Sequence, residues 1–149
     1  MDRFHRGLIA GIAGGVIMNI LSLYSFHILN FTDRRFLDWS SVVMFGHLPN
    51  NFIETIIALF AQLLWSGFLG IVFAYFIPLV TSRGYLIKGA FFGFITGFVL
   101  YGISILFKLP GFTVVSTNTV LSQSIGGVIW GLVTAYTLYL LDNRPLLGS

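Results

Sequence analysis

The sequence predicts an all-α integral membrane protein that folds as a bundle of four transmembrane helices. Of its 149 residues, 56% are hydrophobic and only 9% are charged, whereas about 25% of the residues in an average soluble domain are charged. Stretches without a charged residue cover 7–32, 55–82, 89–107 and 109–141. A helix needs about 20 residues to cross about 30 Å of hydrocarbon, so each stretch can span or nearly span a bilayer. A soluble enzyme, a nucleic-acid binder and a secreted disulfide scaffold are therefore excluded.

The distribution of basic residues predicts that both termini face the cytoplasm. In a four-pass arrangement the basic residues flank the two sides of the membrane unequally, and the richer side is expected to be cytoplasmic. Arg3, Arg6, Arg83, Lys88 and Arg144 flank one side, and Arg34, Arg35 and Lys108 flank the other. Because the chain has no cysteine, a disulfide, a thiolate nucleophile and an iron–sulfur cluster are excluded. We expect no cofactor.

Start and stop signals divide this single membrane domain, residues 1–149, into helices over about 7–29, 52–77, 86–107 and 117–141. The second helix begins after Pro49, where Asn51 and Glu54 have the spacing of a capping box. Pro78 closes that helix, and a Pro110–Gly111 pair follows the third, because proline and glycine do not continue a helix.

The segment at about 33–46 predicts a short helix lying in the outer membrane interface. Thr32 or Asp33 can cap its start, and Gly46 can end it. Phe36, Trp39 and Val43 would then share an apolar stripe facing the membrane, with Trp39 at the level of the lipid headgroups. The alternative is an irregular loop with aromatic anchors.

Small residues at four-residue spacing predict how the helices pack. Lipid provides no hydrophobic force between helices, so association depends on close approach of backbones and on occasional polar bonds. Every predicted helix carries one such stripe, which favours packing within the bundle over the alternative of a homo-oligomer interface. The stripes consist of Gly7, Gly11 and Gly15; Ser66, Gly70 and Ala74; Gly89, Gly93 and Gly97; and Gly127, Gly131 and Ala135.

The stripes also suggest an internal duplication. A shift of 82 residues superposes the glycines of the first helix on those of the third, and a shift of 61 residues superposes the stripe of the second helix on that of the fourth. The chain then consists of two tandem helical hairpins, and only the first carries the interfacial segment. Such repeats are known among transporters.

Three neutral polar residues within the spans, Asn19, Gln62 and Gln123, form the candidate functional layer. One interpretation is interhelical hydrogen bonding, with Gln62 and Gln123 facing one another. The other is a water-filled vestibule for a solute. We favour bonding, because a conduit usually has charged residues or broken helices at its midplane, and the sequence has neither.

Metal binding and catalysis find little support in the sequence. His27, His47 and Glu54 all approach the predicted outer face and could together bind a divalent metal, but no ligand spacing supports such a site. Separate roles are favoured, with Glu54 capping a helix and the histidines reaching the interface. Motifs for a serine hydrolase, a zinc protease and a phosphate-binding loop are all missing from the sequence.

The chain resembles a known group of membrane proteins in its glycine-striped first helix, its connection at 31–39, and its Ala61–Gln62 and 67–70 segments. These features are similar to those of small four-span membrane proteins of spore-forming Firmicutes, broadly YqhR-like, which have no established activity. The resemblance implies four membrane helices in a bacterial plasma membrane.

On these grounds we expect a non-enzymatic packing or accessory subunit of a homo-oligomer or larger membrane complex. Its partners would be membrane lipid and further membrane subunits, and not nucleic acid. The alternative is a small channel or transporter that uses the Asn19, Gln62 and Gln123 layer. A third possibility is a lipid or quinone binder that uses aromatic-rich grooves.

Overall fold

Four long apolar helices and one short helix make up the part of the chain that the computed structural model describes, residues 2–77, 84–109 and 116–142. The helices are α1 (Arg3–His27), α2 (Phe36–Phe45), α3 (Phe52–Phe76), α4 (Tyr85–Leu106) and α5 (Thr117–Asp142). All except α2 are long and apolar enough to cross a membrane, as the charge-free stretches predict. The predicted turns around Pro78 and Pro110 lie outside the described residues, as do Arg83 and Arg144.

Side-chain caps fix where the helices begin. α1 starts at Arg3 rather than near Gly7, because Asp2 caps it and accepts the backbone N–H of His5 at 2.9 Å. This hydrogen bond is the largest of the effects that lower the pKa of the Asp2 carboxyl. At α3, Asn51 accepts the N–H of Glu54 at 2.9 Å, and Glu54 reaches back to the N–H of Asn50 at 2.8 Å. Glu54 therefore bonds one residue before the position that a capping box predicts.

Contacts at one end of the bundle give the directions of the helices. Arg6 in α1 forms an ion pair with Asp142 at the end of α5 (2.8 Å), and Tyr85 at the start of α4 donates to the same carboxylate (3.1 Å). Arg3 donates to the carbonyl oxygen of Ala74, near the end of α3, at 2.7 Å. The starts of α1 and α4 and the ends of α3 and α5 therefore meet at this end, which we call the Asp142 end. The opposite end is the α2 end.

Glycines bring two helix pairs into backbone contact at equivalent positions. A Cβ added at Gly7 would lie 2.8 Å from the Gly70 carbonyl oxygen, and one at Gly11 would overlap the carbonyl oxygen of Ser66. The α4–α5 pair repeats this pattern, since a Cβ at Gly89 would overlap the carbonyl oxygen of Gly131 and one at Gly93 that of Gly127. Shifts of 82 and 61 residues relate the two sets of contacts. Gly15 continues the first seam, where an added Cβ would lie 2.7 Å from the Ser66 Cβ.

Gly97 differs from the other predicted packing glycines. A Cβ added there would meet no atom within 4 Å, and the same holds at Gly102. Beyond the Gly93–Gly127 contact, an open groove lies between α4 and α5, and Gly97 lines it. The α4–α5 seam therefore ends one turn earlier than the stripe predicts.

A third seam joins the two helix pairs through α1 and α5. The indole N–H of Trp130 donates to the carbonyl oxygen of Gly11 at 3.1 Å. A Cβ at Gly14 would lie 2.9 Å from the Trp130 carbonyl oxygen. A buried apolar core lies near the Asp142 end, made up of Ala10, Phe73, Ala74, Ile77, Ala135 and Leu138.

α2 packs into the bundle in an orientation that the sequence did not predict. Its N-cap is Arg35 rather than Thr32 or Asp33, because Asp38 accepts the Arg35 backbone N–H at 2.7 Å. Gly46 ends the helix in the left-handed conformation, with φ of 78°. Leu37, Asp38 and Ser41 are buried, whereas Val43 of the predicted stripe is exposed.

Aromatic contacts show how far α2 reaches between its neighbours. The indole of Trp39 lies 6.0 Å from that of Trp65 in α3, and its N–H donates to Ser104 of α4 at 3.0 Å. The Phe36 ring packs against Gly126, which is about 14 Å along α5 from Thr117 at 1.5 Å per residue. α2 therefore packs beside α3 and reaches α4 through Trp39 and α5 through Phe36.

Candidate functional site

A central cavity of about 60 Å³ lies where all five helices meet. Phe36 and Trp39 of α2 line it together with Gln62 and Trp65 of α3. α1, α4 and α5 supply the other walls, among them Trp130, so all three tryptophans of the protein line this cavity. Because about 15 Å³ of such volume accommodates one water molecule, the cavity is large enough for about four.

Two of the three residues in the predicted polar layer hydrogen bond to each other. The Asn19 amide nitrogen donates to the Gln62 side-chain oxygen and also to the Gly15 carbonyl oxygen at 2.8 Å. The Gln62 amide nitrogen donates to Ser66 at 3.2 Å. All of these side chains are buried, so they form a polar link between α1 and α3.

Gln123, the third residue of the predicted layer, has a different partner. Its amide nitrogen donates to the Arg34 carbonyl oxygen at 3.3 Å. One turn earlier in α5, Thr119 accepts the backbone N–H of Asp33 at 2.8 Å. These two α5 side chains hold the connection between α1 and α2, so the predicted pairing of Gln62 with Gln123 is replaced by contacts to that connection.

Two buried polar atoms near the cavity have no hydrogen-bond partner among the described residues. They are the indole nitrogen of Trp65 and the side-chain oxygen of Asn19. An unpaired polar group is costly in a protein interior, and more so at membrane depth, where bulk water does not compensate it. Trp65, whose side chain lines the cavity, therefore has an unused hydrogen-bond donor.

A second space, a groove of about 530 Å³, lies between α4 and α5 and adjoins the cavity. Phe94, Phe98 and Leu106 of α4 form one wall, and Gln123 and Ser124 lie on the α5 wall. Four residues line both spaces, namely Gly93, Gly97, Tyr101 and Gly127. The groove is of ligand-binding size, which is about 300–1,000 Å³.

The three metal candidates do not come together. His47 lies 3.9 Å from a carboxylate oxygen of Glu54, but His27 lies beside Arg35, whose guanidinium is 3.3 Å from its ring. Within residues 2–77, 84–109 and 116–142, no group of three histidine or carboxylate side chains is placed to hold a metal ion.

The most deeply buried ion pair among the described residues and the aromatic walls of the cavity were not predicted from the sequence. Arg35 and Asp38 form an ion pair at 2.9 Å, and their side chains are only 14% and 5% exposed. The three-residue spacing of the pair was a usable signal, since an acidic residue at that position commonly caps a helix. For Trp65 and Trp130 the sequence has no such signal, because both resemble ordinary lipid-facing aromatic residues.

By length and composition, four of the described helices can each cross a membrane, which is typical of a multi-pass helical membrane protein. Its distinguishing features are a buried polar link, a small aromatic cavity and a groove that opens to the side. No protein-family model, curated protein sequence or solved structure shows significant similarity to the chain.

The Asn19–Gln62 hydrogen bond is expected to contribute measurably to stability. Interhelical hydrogen bonds in membranes contribute about 0.6 kcal/mol on average and at most about 1.7 kcal/mol. A double-mutant cycle of Asn19→Leu and Gln62→Leu should therefore give a coupling energy of about 1 kcal/mol in reversible unfolding. Ser124→Ala paired with Gln62→Leu is the control, and a coupling no larger than the control's would contradict this assignment.

Proposed function

We propose that the protein is a non-enzymatic accessory subunit that packs against another membrane span through α4. The main observation behind this proposal concerns burial. Only 17% of the most apolar stretch of α4 is buried inside the monomer, against 33–44% for the other three spans. Most of α4 is therefore free for packing against a second copy or another subunit. We infer a homo-oligomer or a larger membrane complex.

The glycine seams support an accessory role over a conduit. On the Asp142 side of the cavity, backbone contacts at Gly11 and Gly93 close both helix pairs, and the core around Phe73 fills the space between them. A conduit needs a polar path through this half. Under the channel alternative, Gln62→Leu and Gln123→Leu abolish solute flux in liposomes and leave assembly intact.

We further propose that the protein resides in a bacterial plasma membrane with the Asp142 end in the cytoplasm. Arg3, Arg6 and Lys88 lie toward that end, which agrees with the positive-inside rule. We also propose that the chain arose by duplication of a helical hairpin, since the contacts of Gly7 with Gly70 and of Gly89 with Gly131 are equivalent under both sequence shifts. The similarity to YqhR-like proteins stays a prediction.

Cysteine cross-linking tests the accessory role, because the natural chain has no cysteine. Phe91 on α4 and Leu64 on α3 are similarly exposed, at 68% and 65%. In native membranes, Phe91→Cys is expected to form a covalent adduct under mild oxidation or with a thiol cross-linker. Leu64→Cys, the matched control, is expected to form far less.

The mass of the adduct identifies the kind of partner. Twice the chain mass indicates a homo-oligomer, and any other mass indicates a separate subunit that mass spectrometry can identify. If Phe91→Cys forms no more adduct than Leu64→Cys, and the detergent-solubilised protein has the mass of one chain, the accessory role through α4 is wrong.

A further inference from the structure

We propose that the central cavity and the α4–α5 groove form one binding site for a neutral lipid of the isoprenoid quinone class. The flat head would lie where the two spaces meet, and the single long chain would lie in the groove. The argument for this site does not rest on the proposed accessory role, although Phe98 of the groove is one of the exposed α4 residues.

The groove has the length and chemistry that one apolar chain requires. It is lined from Gly93 to Leu106 along α4, which corresponds to about 20 Å at 1.5 Å per residue. This is somewhat more than half of a hydrocarbon core about 30 Å thick. Phe94 and Phe98 supply apolar walls, and the groove opens between two helices that face lipid, so a membrane-dissolved ligand can enter sideways.

Glycine leaves a passage between the groove and the cavity. Gly93, Gly97 and Gly127 all line both spaces. Gly93 and Gly127 touch through their backbones and close one end of the gap, whereas Gly97 leaves it open. At Gly97 even an added Cβ would meet nothing within 4 Å. The aromatic side chains of Trp39 and Trp65 in the cavity wall favour stacking with a flat ring.

Trp65 gives the site a preference for a hydrogen-bond acceptor. Its indole N–H is buried without a partner among the described residues, whereas the N–H groups of Trp39 and Trp130 donate to Ser104 and to Gly11. A quinone carbonyl oxygen is a neutral acceptor that would satisfy this donor once the indole turns toward the cavity, since the nitrogen itself has almost no exposed surface. No charged residue lines either space in the described chain, so the site offers nothing to balance a phospholipid phosphate.

Binding can be measured directly because all three tryptophans line the cavity. The full chain in lipid nanodiscs is titrated with decylubiquinone, and quenching of tryptophan fluorescence is followed. Bound quinone is also quantified by absorbance after the nanodiscs are washed. We expect saturable quenching and retained quinone for the natural sequence. Decanol, which has the chain without the ring, is expected not to compete.

Three variants separate the parts of the proposal. Trp65→Phe is expected to weaken binding about fivefold, the equivalent of one lost hydrogen bond. Tyr75→Phe, the control, removes a polar group from an exposed residue of the same helix that lines neither space, and its affinity is expected to be unchanged. Gly97→Leu is expected to abolish retained quinone by filling the passage, and thermal unfolding checks that it folds.

Several results would overturn the proposal. They are quenching that does not saturate, equal competition by decanol, and unchanged affinity in both Trp65→Phe and Gly97→Leu. If the cavity binds only water, the quenching will not saturate. If the groove binds any alkyl chain whatever its head group, decanol will compete as well as the quinone.

Discussion

Replacing Gly93 by alanine is expected to destabilise the bundle by about 2 kcal/mol, whereas Gly97→Ala on the same helix is expected to be neutral or stabilising. The added methyl group at Gly93 would overlap the carbonyl oxygen of Gly127. Backbone atoms cannot rotate away as a side chain can, so α4 and α5 must separate, and such overpacking costs about 1–3 kcal/mol. At Gly97 the methyl group enters open space and gains up to about 1 kcal/mol of helix propensity.

Thermal unfolding in one detergent, followed by tryptophan fluorescence, measures both variants. A loss of 2 kcal/mol corresponds to a fall in Tm of roughly 4–8 °C for a chain of this size. Gly11→Ala in the equivalent α1–α3 seam should behave like Gly93→Ala, because its methyl group would overlap the Ser66 carbonyl oxygen. Equal stability of Gly93→Ala and Gly97→Ala would show that the α4–α5 seam does not hold the pair together.

The spans and most of the seams could be predicted because both depend on local composition. Crossing hydrocarbon requires a charge-free stretch, and close helix approach requires small residues at a helical period. Contacts at Gly7, Gly11, Gly89 and Gly93 follow this rule. Gly97 is an exception, because it makes no such contact. The contact between two helices stops where their axes diverge, and the spacing of small residues does not indicate where that happens.

The orientation of α2 and the partner of Gln123 were not predictable from the sequence in the same way. α2 satisfies its polar groups through contacts distant in sequence, such as Trp39 with Ser104. Gln123 donates to the backbone of Arg34, 89 residues earlier in the chain. Period and hydropathy describe one segment at a time, so they indicate that a polar side chain needs a partner without specifying which one. For the same reason, the sequence could not indicate that the indole N–H of Trp65 would have no partner among the described residues.

Asp38→Asn is expected to be among the most destabilising single substitutions, at about 3 kcal/mol. The Asp38 carboxylate is buried and accepts from the Arg35 backbone and from its guanidinium. The neutral amide leaves the Arg35 charge without its counter-ion in the bundle, and breaking a buried pair from one side costs about 3–5 kcal/mol. We take the lower value because the Arg35 side chain is 14% exposed. Thermal unfolding in detergent measures the loss.

A second variant distinguishes an uncompensated charge from a general loss of packing around α2. If the buried charge dominates, Arg35→Leu combined with Asp38→Leu should be more stable than Asp38→Asn, because neither charge is left unpaired and only the helix cap is lost, at about 1 kcal/mol. Asp33→Asn makes the same carboxylate-to-amide change on an exposed residue of the same connection and should stay within about 0.5 kcal/mol of the natural chain. A double variant less stable than Asp38→Asn would mean that the carboxylate stabilises α2 chiefly as its cap, and that the Arg35 charge is solvated without it.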